Sequence, residues 1–321
     1  MSAPVVITGA GGFVGRHTVA YARQSGLDVR ALVRPGSTVP SDWPNDPGIT
    51  VYKADLAGDT PLADMLEHAG AVIHAAAAMT GNHDRDTIRA SRNLIAQIAA
   101  SGVGHVVLVS SLSVCDVSTL ADHETLCEDC PSCARGRDAY AQAKLEQEHL
   151  FRDGAAQHGF TLTILRPGAV YGPGRAFNAH IGPSLGAVMV MVDGGGTVPL
   201  CQVGLLAQCL VHAARRPNGI ETINIFDDAL PDRDHFLSAF RQCGWPRLAL
   251  FMPLGLMRLL ARITPDSTAM PGLLRSDVLE ARHKPLRYSN ALMHERLGPV
   301  TMMPFEQAMQ QAIQIEQDQT P

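Results

Sequence analysis

The chain opens with a short apolar strand pattern, Val5 to Thr8, that runs directly into a glycine-rich turn. Glycines follow at Gly9, Gly12 and Gly15, and an amphipathic stretch from Phe13 to Gln24 continues the chain. Gly9 permits a tight turn, Gly12 lets the backbone approach a ligand, and Gly15 lets the helix pack closely on the strand. Because the free amides at a helix start attract phosphate, this pattern predicts a seat for the pyrophosphate of a dinucleotide.

Strand and helix patterns alternate over the first 170 residues. The predicted strands are Val5–Thr8, Val29–Val33, Ile49–Tyr52, Ala71–Ala75, Val106–Val109 and Leu162–Leu165. Helical stretches lie between them, near 60–68, 85–101 and 139–157. Strands that are apolar on both faces and separated by helices indicate a parallel sheet covered on two sides. The sequence therefore predicts an α/β fold with a doubly wound parallel sheet.

Past Pro167 the alternation ends, and proline and glycine become frequent. The predicted elements there are one strand, Glu221–Phe226, and the helices Leu205–Ala214, His235–Cys243, Leu256–Ile263 and Met302–Ile315. We expect a dinucleotide-binding domain over residues 1–175. Residues 176–321 are expected to form a smaller, mostly helical substrate lobe, with parts of the chain able to return to the sheet.

Composition excludes several classes of protein. The chain has 321 residues, a net charge of −5 and no lysine- or arginine-rich block, so we expect no nucleic-acid partner. No uncharged apolar stretch reaches the ~18 residues of a membrane span. The strand at Val5 leaves no room for a signal peptide, and the odd number of cysteines, 7, fits reduced thiols, so we expect a cytoplasmic protein.

Two segments allow more than one interpretation. Cys127, Cys130 and Cys133, with His123 before them, have the short spacing of metal ligands. A closed zinc site usually takes a second ligand pair from a separate turn, so we favour a cysteine-rich loop and predict no metal. The apolar segment Leu248–Ile263 is expected to pack on the lobe, with a substrate mouth or a membrane-facing patch as alternatives.

The residues at the end of the second strand favour NADP(H) over NAD(H) as the cofactor. NAD-binding chains usually carry an acid at the end of the second strand, where this chain has Val33 followed by Arg34. An arginine can pair with a 2′-phosphate, so NADP(H) is favoured and NAD(H) remains possible. The alternative is that Arg34 stacks on the adenine or points to water. Asp55, after the third strand, is placed to accept a hydrogen bond from the adenine amino group.

A proton-transfer set follows the fifth strand. Tyr140 and Lys144 are four residues apart, so both lie on one face of a helix. A phenol has a pKa of about 10, and a neighbouring ammonium with a bound nicotinamide cation would lower it. Ser111, at a strand end, is expected to hold the substrate oxygen. We expect these three residues to be catalytic.

Taken together, these motifs resemble the extended short-chain dehydrogenases/reductases, which are NAD-dependent epimerase/dehydratase-like enzymes with a Rossmann fold. The matching motifs are Thr8-Gly9-x-x-Gly12-x-x-Gly15, Asp55-Leu56, His74-x-Ala76-Ala77, Ser110-Ser111, Tyr140-x-x-x-Lys144 and Arg166-Pro167-Gly168-Ala169-Val170-Tyr171-Gly172-Pro173-Gly174. The resemblance implies that Ser111, Tyr140 and Lys144 are catalytic. It also implies backbone contacts from Pro167–Val170 to the nicotinamide amide and a homodimer paired through helices 85–101 and 139–157.

The expected cofactor contacts come partly from the strand and turn patterns and partly from the family resemblance. They are Gly9, Gly12, Phe13, Val14, Gly15, Arg34, Asp55, Leu56, Ala75, Ala76, Tyr140, Lys144, Pro167, Gly168, Ala169 and Val170. The chain departs from the family pattern at Thr87, where an asparagine is common, and at Cys115, where a tyrosine is common. A proton relay through that asparagine is therefore in doubt.

The substrate is expected to be a mostly apolar small molecule. No lysine or arginine stands between Ala176 and Ala214, so a buried diphosphate would lack charge partners. The apolar residues there are Phe177, Ile181, Leu185, Val188, Met189, Val190, Met191 and Val192, which form either a substrate wall or ordinary core.

Three functions follow from these features. The favoured one is an NADP(H)-dependent oxidoreductase that interconverts a secondary alcohol and a ketone. The alternative is an NAD-dependent nucleotide-sugar epimerase or dehydratase. A non-catalytic dinucleotide sensor is a third, against which the intact serine, tyrosine and lysine argue.

Overall fold

A computed structural model describes residues 3–133, 137–176, 182, 184–185, 187–264 and 272–318 of the chain. The strands are β1 (Val5–Thr8), β2 (Val29–Val33), β3 (Ile49–Lys53), β4 (Ala71–His74), β5 (His105–Val109), β6 (Thr125–Leu126), β7 (Thr161–Pro167), β8 (Ala169–Tyr171), β9 (Ser184–Leu185), β10 (Val188–Asp193), β11 (Leu200–Gln202), β12 (Ile220–Ile225), β13 (Leu248–Pro253) and β14 (Arg287–Tyr288). The helices are α1 (Phe13–Gln24), α2 (Ala63–Leu66), α3 (Ala90–Ser101), α4 (Ala139–His158), α5 (Val203–Ala214), α6 (Arg233–Phe240), α7 (Leu254–Ile263), α8 (Ser276–His283), α9 (Ala291–Leu297) and α10 (Phe305–Asp318).

Seven parallel strands form the central sheet in the order β12-β7-β5-β4-β1-β2-β3. Every residue of β1, β4 and β5 is buried, as expected for strands covered on both faces. The doubly wound parallel sheet is confirmed. The strand order reverses next to β1, between β2 and β4, and ligands of such folds bind in the crevice at that point.

Two apolar layers sandwich the sheet. On one face α1 and α5 supply buried side chains such as Val19 and Leu206, and on the other α3 and α4 supply Ile98 and Phe151. α5 and β12 come from beyond residue 175 and belong to this sheet layer. The division into two domains at that residue stays a prediction.

The C-terminal part combines helices with a small sheet of order β13-β10-β9, and that sheet was not predicted. Met189, Met191 and Val192 of β10 are fully buried, so these three are core residues and not an open substrate wall. Phe177, Ile181 and the side chain of Leu185 lie outside the described residues. None of the helices that the structure describes is long and apolar enough to cross a membrane.

Candidate active site

The glycine turn between β1 and α1 leaves no space for side chains. Gly9 has φ +67°, and a Cβ there would lie 2.8 Å from the backbone nitrogen of Ala76. At Gly15 a Cβ would lie 2.1 Å from the Gly9 carbonyl oxygen. Gly12 caps α1, and no side chain competes there for the free amides of the first helical turn. The close backbone and the free amides of this turn are what a pyrophosphate requires.

A cavity of about 290 Å³ lies where the carboxyl ends of β1 to β4 meet. The predicted cofactor residues that line it are Gly9, Gly12, Arg34, Asp55, Leu56, Ala75 and Ala76. The others lie beyond its lining: Phe13, Val14 and Gly15 at the start of α1, Tyr140 and Lys144 on α4, and Pro167, Gly168, Ala169 and Val170 from the end of β7 into β8. The cavity therefore brings together seven of the residues that the sequence predicts as cofactor contacts.

Two charged features mark the rim of this cavity. Arg34 is exposed at the end of β2, and Ser37 lies one turn away with its amide bonded to the Arg34 carbonyl at 3.1 Å. Asp55 forms an ion pair with Arg85 and accepts a hydrogen bond from the Ala57 amide at 3.0 Å. Burial acts to raise the pKa of Asp55, but these two contacts outweigh it and the pKa is lowered. Asp55 is thus a carboxylate anion that is paired with Arg85.

Ser111 and Tyr140 meet at the predicted catalytic position. The Ser111 side chain acts on the Tyr140 phenol, and the Ser111 oxygen accepts a hydrogen bond from the Ser113 amide at 3.2 Å. Asp138 caps α4 by accepting from the Ala141 amide at 2.9 Å, which holds Tyr140 in the first helical turn. Burial raises the pKa of Tyr140, and Ser111 acts in the opposite direction.

Lys144 is buried one turn further along α4. Its ammonium donates to the Val109 carbonyl at 2.7 Å and to the Gln147 side-chain oxygen at 2.8 Å. Burial lowers the pKa of Lys144 to about 7, although the charge of Glu148 acts to raise it. The ammonium contacts Val109 and Gln147, and the expectation that Lys144 lowers the pKa of Tyr140 beside a bound nicotinamide stays a prediction.

Gln147 connects the lysine to the strand ends. Because its oxygen accepts from Lys144, its nitrogen is the donor, and it reaches His74 Nε2 at 3.1 Å and the Ser91 hydroxyl at 2.9 Å. His74 Nδ1 then donates to the Thr8 hydroxyl oxygen at 2.6 Å. Burial, with the nearby Lys144 charge, lowers the pKa of His74 to about 3. A continuous buried polar network therefore links α4 to β1 and β4.

A model of the NAD dependent epimerase/dehydratase family matches residues 5–225, more than half of the chain. The chain belongs to this family. The match covers the glycine turn, the serine, tyrosine and lysine, and the sheet through β12. The protein is therefore an NAD(P)-dependent enzyme of the extended short-chain dehydrogenase/reductase type.

Relatives within the family include both reductases and epimerases. A dTDP-4-dehydro-6-deoxy-D-allose reductase from Streptomyces sp is 27% identical over 65% of this chain and 69% of its own length. A dihydroflavonol 4-reductase from Zea mays is 28% identical over 59% and 58%. A UDP-glucuronic acid 4-epimerase from Bacillus cereus, solved with NAD, is 17% identical and covers 99% of this chain and 100% of its own at TM-score 0.73. The last comparison concerns the fold alone.

Sequence reasoning missed three residues of this family member's site. Arg175 lies with its guanidinium carbon 5.3 Å from the centre of the Phe13 ring, and its charge acts to lower the pKa of Tyr140. Arg175 directly follows Gly172-Pro173-Gly174, the end of the matched family motif. This position was the sequence feature from which its role could have been predicted. Gln147 carried no signal, since its contacts with His74 and Ser91 lie far along the chain, and Ser37, which lines the cavity beside Arg34, belongs to no motif.

A buried ion pair holds the middle of α4 against the sheet. Arg166 of β7 donates to both carboxylate oxygens of Glu148, at 2.9 and 2.7 Å, and to the Ser132 hydroxyl at 2.8 Å. Ser110 donates to the same carboxylate at 2.5 Å. This pair fixes the helix that carries Tyr140 relative to the strand end that carries Ser110 and Ser111.

The cysteine segment does not converge on a metal-binding arrangement. Cys130 is buried and its thiol donates to the Asp116 carbonyl at 3.6 Å, whereas Cys127 and Cys133 are half-buried. Within residues 3–133 and the other described ranges, no group of three or more histidine, cysteine or acidic side chains is placed to hold a metal ion.

Proposed function

We propose that the chain is an NADP(H)-dependent oxidoreductase that interconverts a secondary alcohol and a ketone on a mostly apolar small molecule. The observation that carries this proposal is the juxtaposition of Ser111 with the Tyr140 phenol, one helical turn before the buried ammonium of Lys144. The dinucleotide cavity lies at the same edge of the sheet. Reductases among the relatives support a reducing or oxidising role.

The residues act on the substrate oxygen. In the direction of reduction Tyr140 donates a proton to the carbonyl oxygen, and Ser111 holds that oxygen by a hydrogen bond. Lys144 supplies a buried positive charge beside them, fixed by Val109 and Gln147. The nicotinamide, when bound, supplies the hydride in this direction and accepts it in the reverse direction.

In this proposal each part of the dinucleotide has its own set of contacting residues. Gly9, Gly12 and Gly15 with the α1 amides would hold the pyrophosphate, beside Phe13 and Val14. Arg34, at the rim of the cavity, would pair with a 2′-phosphate. Asp55, Leu56, Ala75 and Ala76 would line the adenosine, and the backbone at Pro167, Gly168, Ala169 and Val170 would meet the nicotinamide amide.

A second candidate is an NAD-dependent nucleotide-sugar epimerase or dehydratase. The observation that favours it is Arg175, an exposed cation beside Phe13 whose charge reaches Tyr140. A diphosphate would find a charge partner there. Against it stands the lack of any further lysine or arginine up to Ala214. Pairing into a homodimer through α3 and α4, and a cytoplasmic location, stay predictions.

One experiment separates the two candidates. The purified chain is heated with NADPH, NADH, UDP-glucose and a panel of hydrophobic ketones, and the melting temperature is compared. We expect NADPH to stabilise it more than NADH, and hydrophobic ketones to be reduced in its presence. Stabilisation by UDP-glucose, with NAD retained through purification, would favour the second candidate instead.

A further inference from the structure

Outside the active site, exposed apolar side chains are concentrated on β13 and α7. Six of the nine large apolar side chains that are exposed in the described part of the chain belong to these two consecutive elements: Leu248, Leu250, Phe251, Leu256, Leu259 and Ile263. We call this set the α7 surface. Exposed apolar area of this extent marks an interaction site in proteins.

The helix α7 is apolar on both of its sides. Leu254, Met257 and Ala261 face the interior and are buried, as the sequence analysis expected for this segment. Leu256, Leu259 and Ile263 are spaced three and four residues apart, so they form a second stripe on the outer face. Leu259 is 57% exposed and Ile263 74% exposed. The outer stripe has no function in the packing of the lobe.

Arg258 fixes α7 in this orientation. Its guanidinium donates to both carboxylate oxygens of Asp122, at 2.7 and 2.8 Å, and to both of Glu280, at 2.7 and 2.8 Å. The helix is therefore held to the loop before β6 and to α8. The outer stripe is presented on a rigid support.

The acidic side chains that contact α7, Asp122 and Glu280, are paired with Arg258, so the unpaired charges beside the apolar side chains are positive. No aspartate or glutamate stands between Asp234 and Asp266, whereas Arg247 and Arg262 are exposed beside the apolar side chains. Within the described residues neither arginine forms an ion pair, in contrast to Arg258. The α7 surface is thus apolar at its centre and positive at its edge.

We propose that the α7 surface docks the protein on an anionic lipid bilayer. Leucine, isoleucine and phenylalanine side chains enter the boundary between headgroups and acyl chains, and arginines at the edge pair with anionic headgroups. A second copy of the chain fits less well. A two-fold interface lays the same surface on itself, which brings together arginines that have no carboxylate opposite them.

Flotation of the full chain with vesicles tests this proposal. One set of vesicles is phosphatidylcholine with phosphatidylglycerol, and the other is phosphatidylcholine alone. We expect the chain to float with the first set, to float less with the second, and to be released by high salt, because the headgroup charge is screened. Failure to float with either set overturns the proposal.

Paired variants locate the contact. Leu256→Gln with Leu259→Gln is expected to weaken partitioning on the order of tenfold or more, since two apolar side chains lose their burial. Arg262→Gln is expected to weaken it about fivefold. The matched control is Ile220→Gln, a surface isoleucine that is 45% exposed on β12 and lies outside the α7 surface. It should float like the unaltered chain.

Two further outcomes decide against membrane docking. Flotation that is unchanged in the Leu256→Gln/Leu259→Gln variant excludes the α7 surface as the contact. A change from dimer to monomer in this variant by light scattering, without any lipid binding by the unaltered chain, assigns the surface to contacts between copies. Enzymatic turnover of the variant is measured alongside, and its retention shows that the fold is intact.

Discussion

Lys144 donates a 2.8 Å hydrogen bond to the side-chain oxygen of Gln147, three residues further along the same helix. The lysine that the sequence assigns to the active site is therefore anchored to the helix that carries Tyr140 and to the end of β5. Gln147 in turn holds His74, so one amide fixes both a buried cation and a buried imidazole. Several testable properties of the protein depend on this arrangement.

Gln147 is expected to set the pKa of Lys144. An acceptor for the protonated amine favours its charged form, so Gln147→Leu should lower a pKa that already lies at about 7. Gln147→Glu should raise it. If turnover needs the charged amine, the fall of kcat/KM with rising pH moves to lower pH in the first variant and to higher pH in the second. The control is Gln142→Leu, an exposed glutamine on the same helix. Equal profiles in all four proteins would contradict the assignment.

His74 is expected to remain neutral in weakly acidic solution, with its proton on Nδ1. Its folded pKa of about 3 lies below the usual 6.5. Between these values the unfolded chain binds the extra proton, so this group lowers the free energy of unfolding as pH falls from about 6.5 toward 3. Nitrogen-15 NMR of the imidazole at pH 5 reads the tautomer directly, with His74→Gln used for assignment. A doubly protonated ring at pH 5 would contradict the prediction.

The ion pair between Glu148 and Arg166 is expected to support the fold. Their side chains are 2% and 5% exposed, so Glu148→Gln leaves a buried guanidinium without its counter-charge and should cost about 3–5 kcal/mol in free energy of unfolding. Glu146→Gln on the same helix removes an exposed pair with Arg92 at 3.8 Å and should cost at most about 1 kcal/mol. Chemical denaturation compares the two variants. Equal losses would show that the buried pair contributes no more than the surface pair.

Arg34 is expected to select the cofactor. Arg34→Ala removes the cation at the rim of the cavity, so the ratio of kcat/KM for NADPH to that for NADH should fall about tenfold or more. Arg89→Ala is the control, because Arg89 lies at the surface and pairs only distantly with Asp59, at 3.9 Å. A ratio that is the same in both variants would remove the argument for NADP(H).

The sequence predicted the cofactor half of the protein closely. The bounds of β1 and α1 agree residue for residue, because the glycine turn and the spacing of apolar residues are local signals. Parallel pairing of β10 with β13 could not be predicted, since its partners lie about 60 residues apart and both segments are apolar without alternation. Leu248–Pro253 was therefore taken as apolar packing and not as a strand.

The sequence predicted which residues form the candidate site. It did not predict the hydrogen bonds and charge contacts that connect them. Convergence of Ser111 and Tyr140 follows from a strand end and a helix start at the same edge of the sheet. The contact of Gln147 with His74 joins residues 73 positions apart, and Arg175 acts through space on Tyr140. Such contacts depend on how α4 lies over β4 and on the path of the chain after β8. Patterns along the sequence do not contain that information.

Replacement of Tyr140 by phenylalanine tests the central claim most directly. The variant keeps the ring and loses only the hydroxyl that meets Ser111, so it should bind NADPH as tightly as the unaltered chain while losing nearly all turnover of a hydrophobic ketone substrate. Tyr52→Phe, on β3, serves as the control and should keep its activity. Full turnover by the Tyr140→Phe variant would contradict the assignment of the phenol as the proton donor.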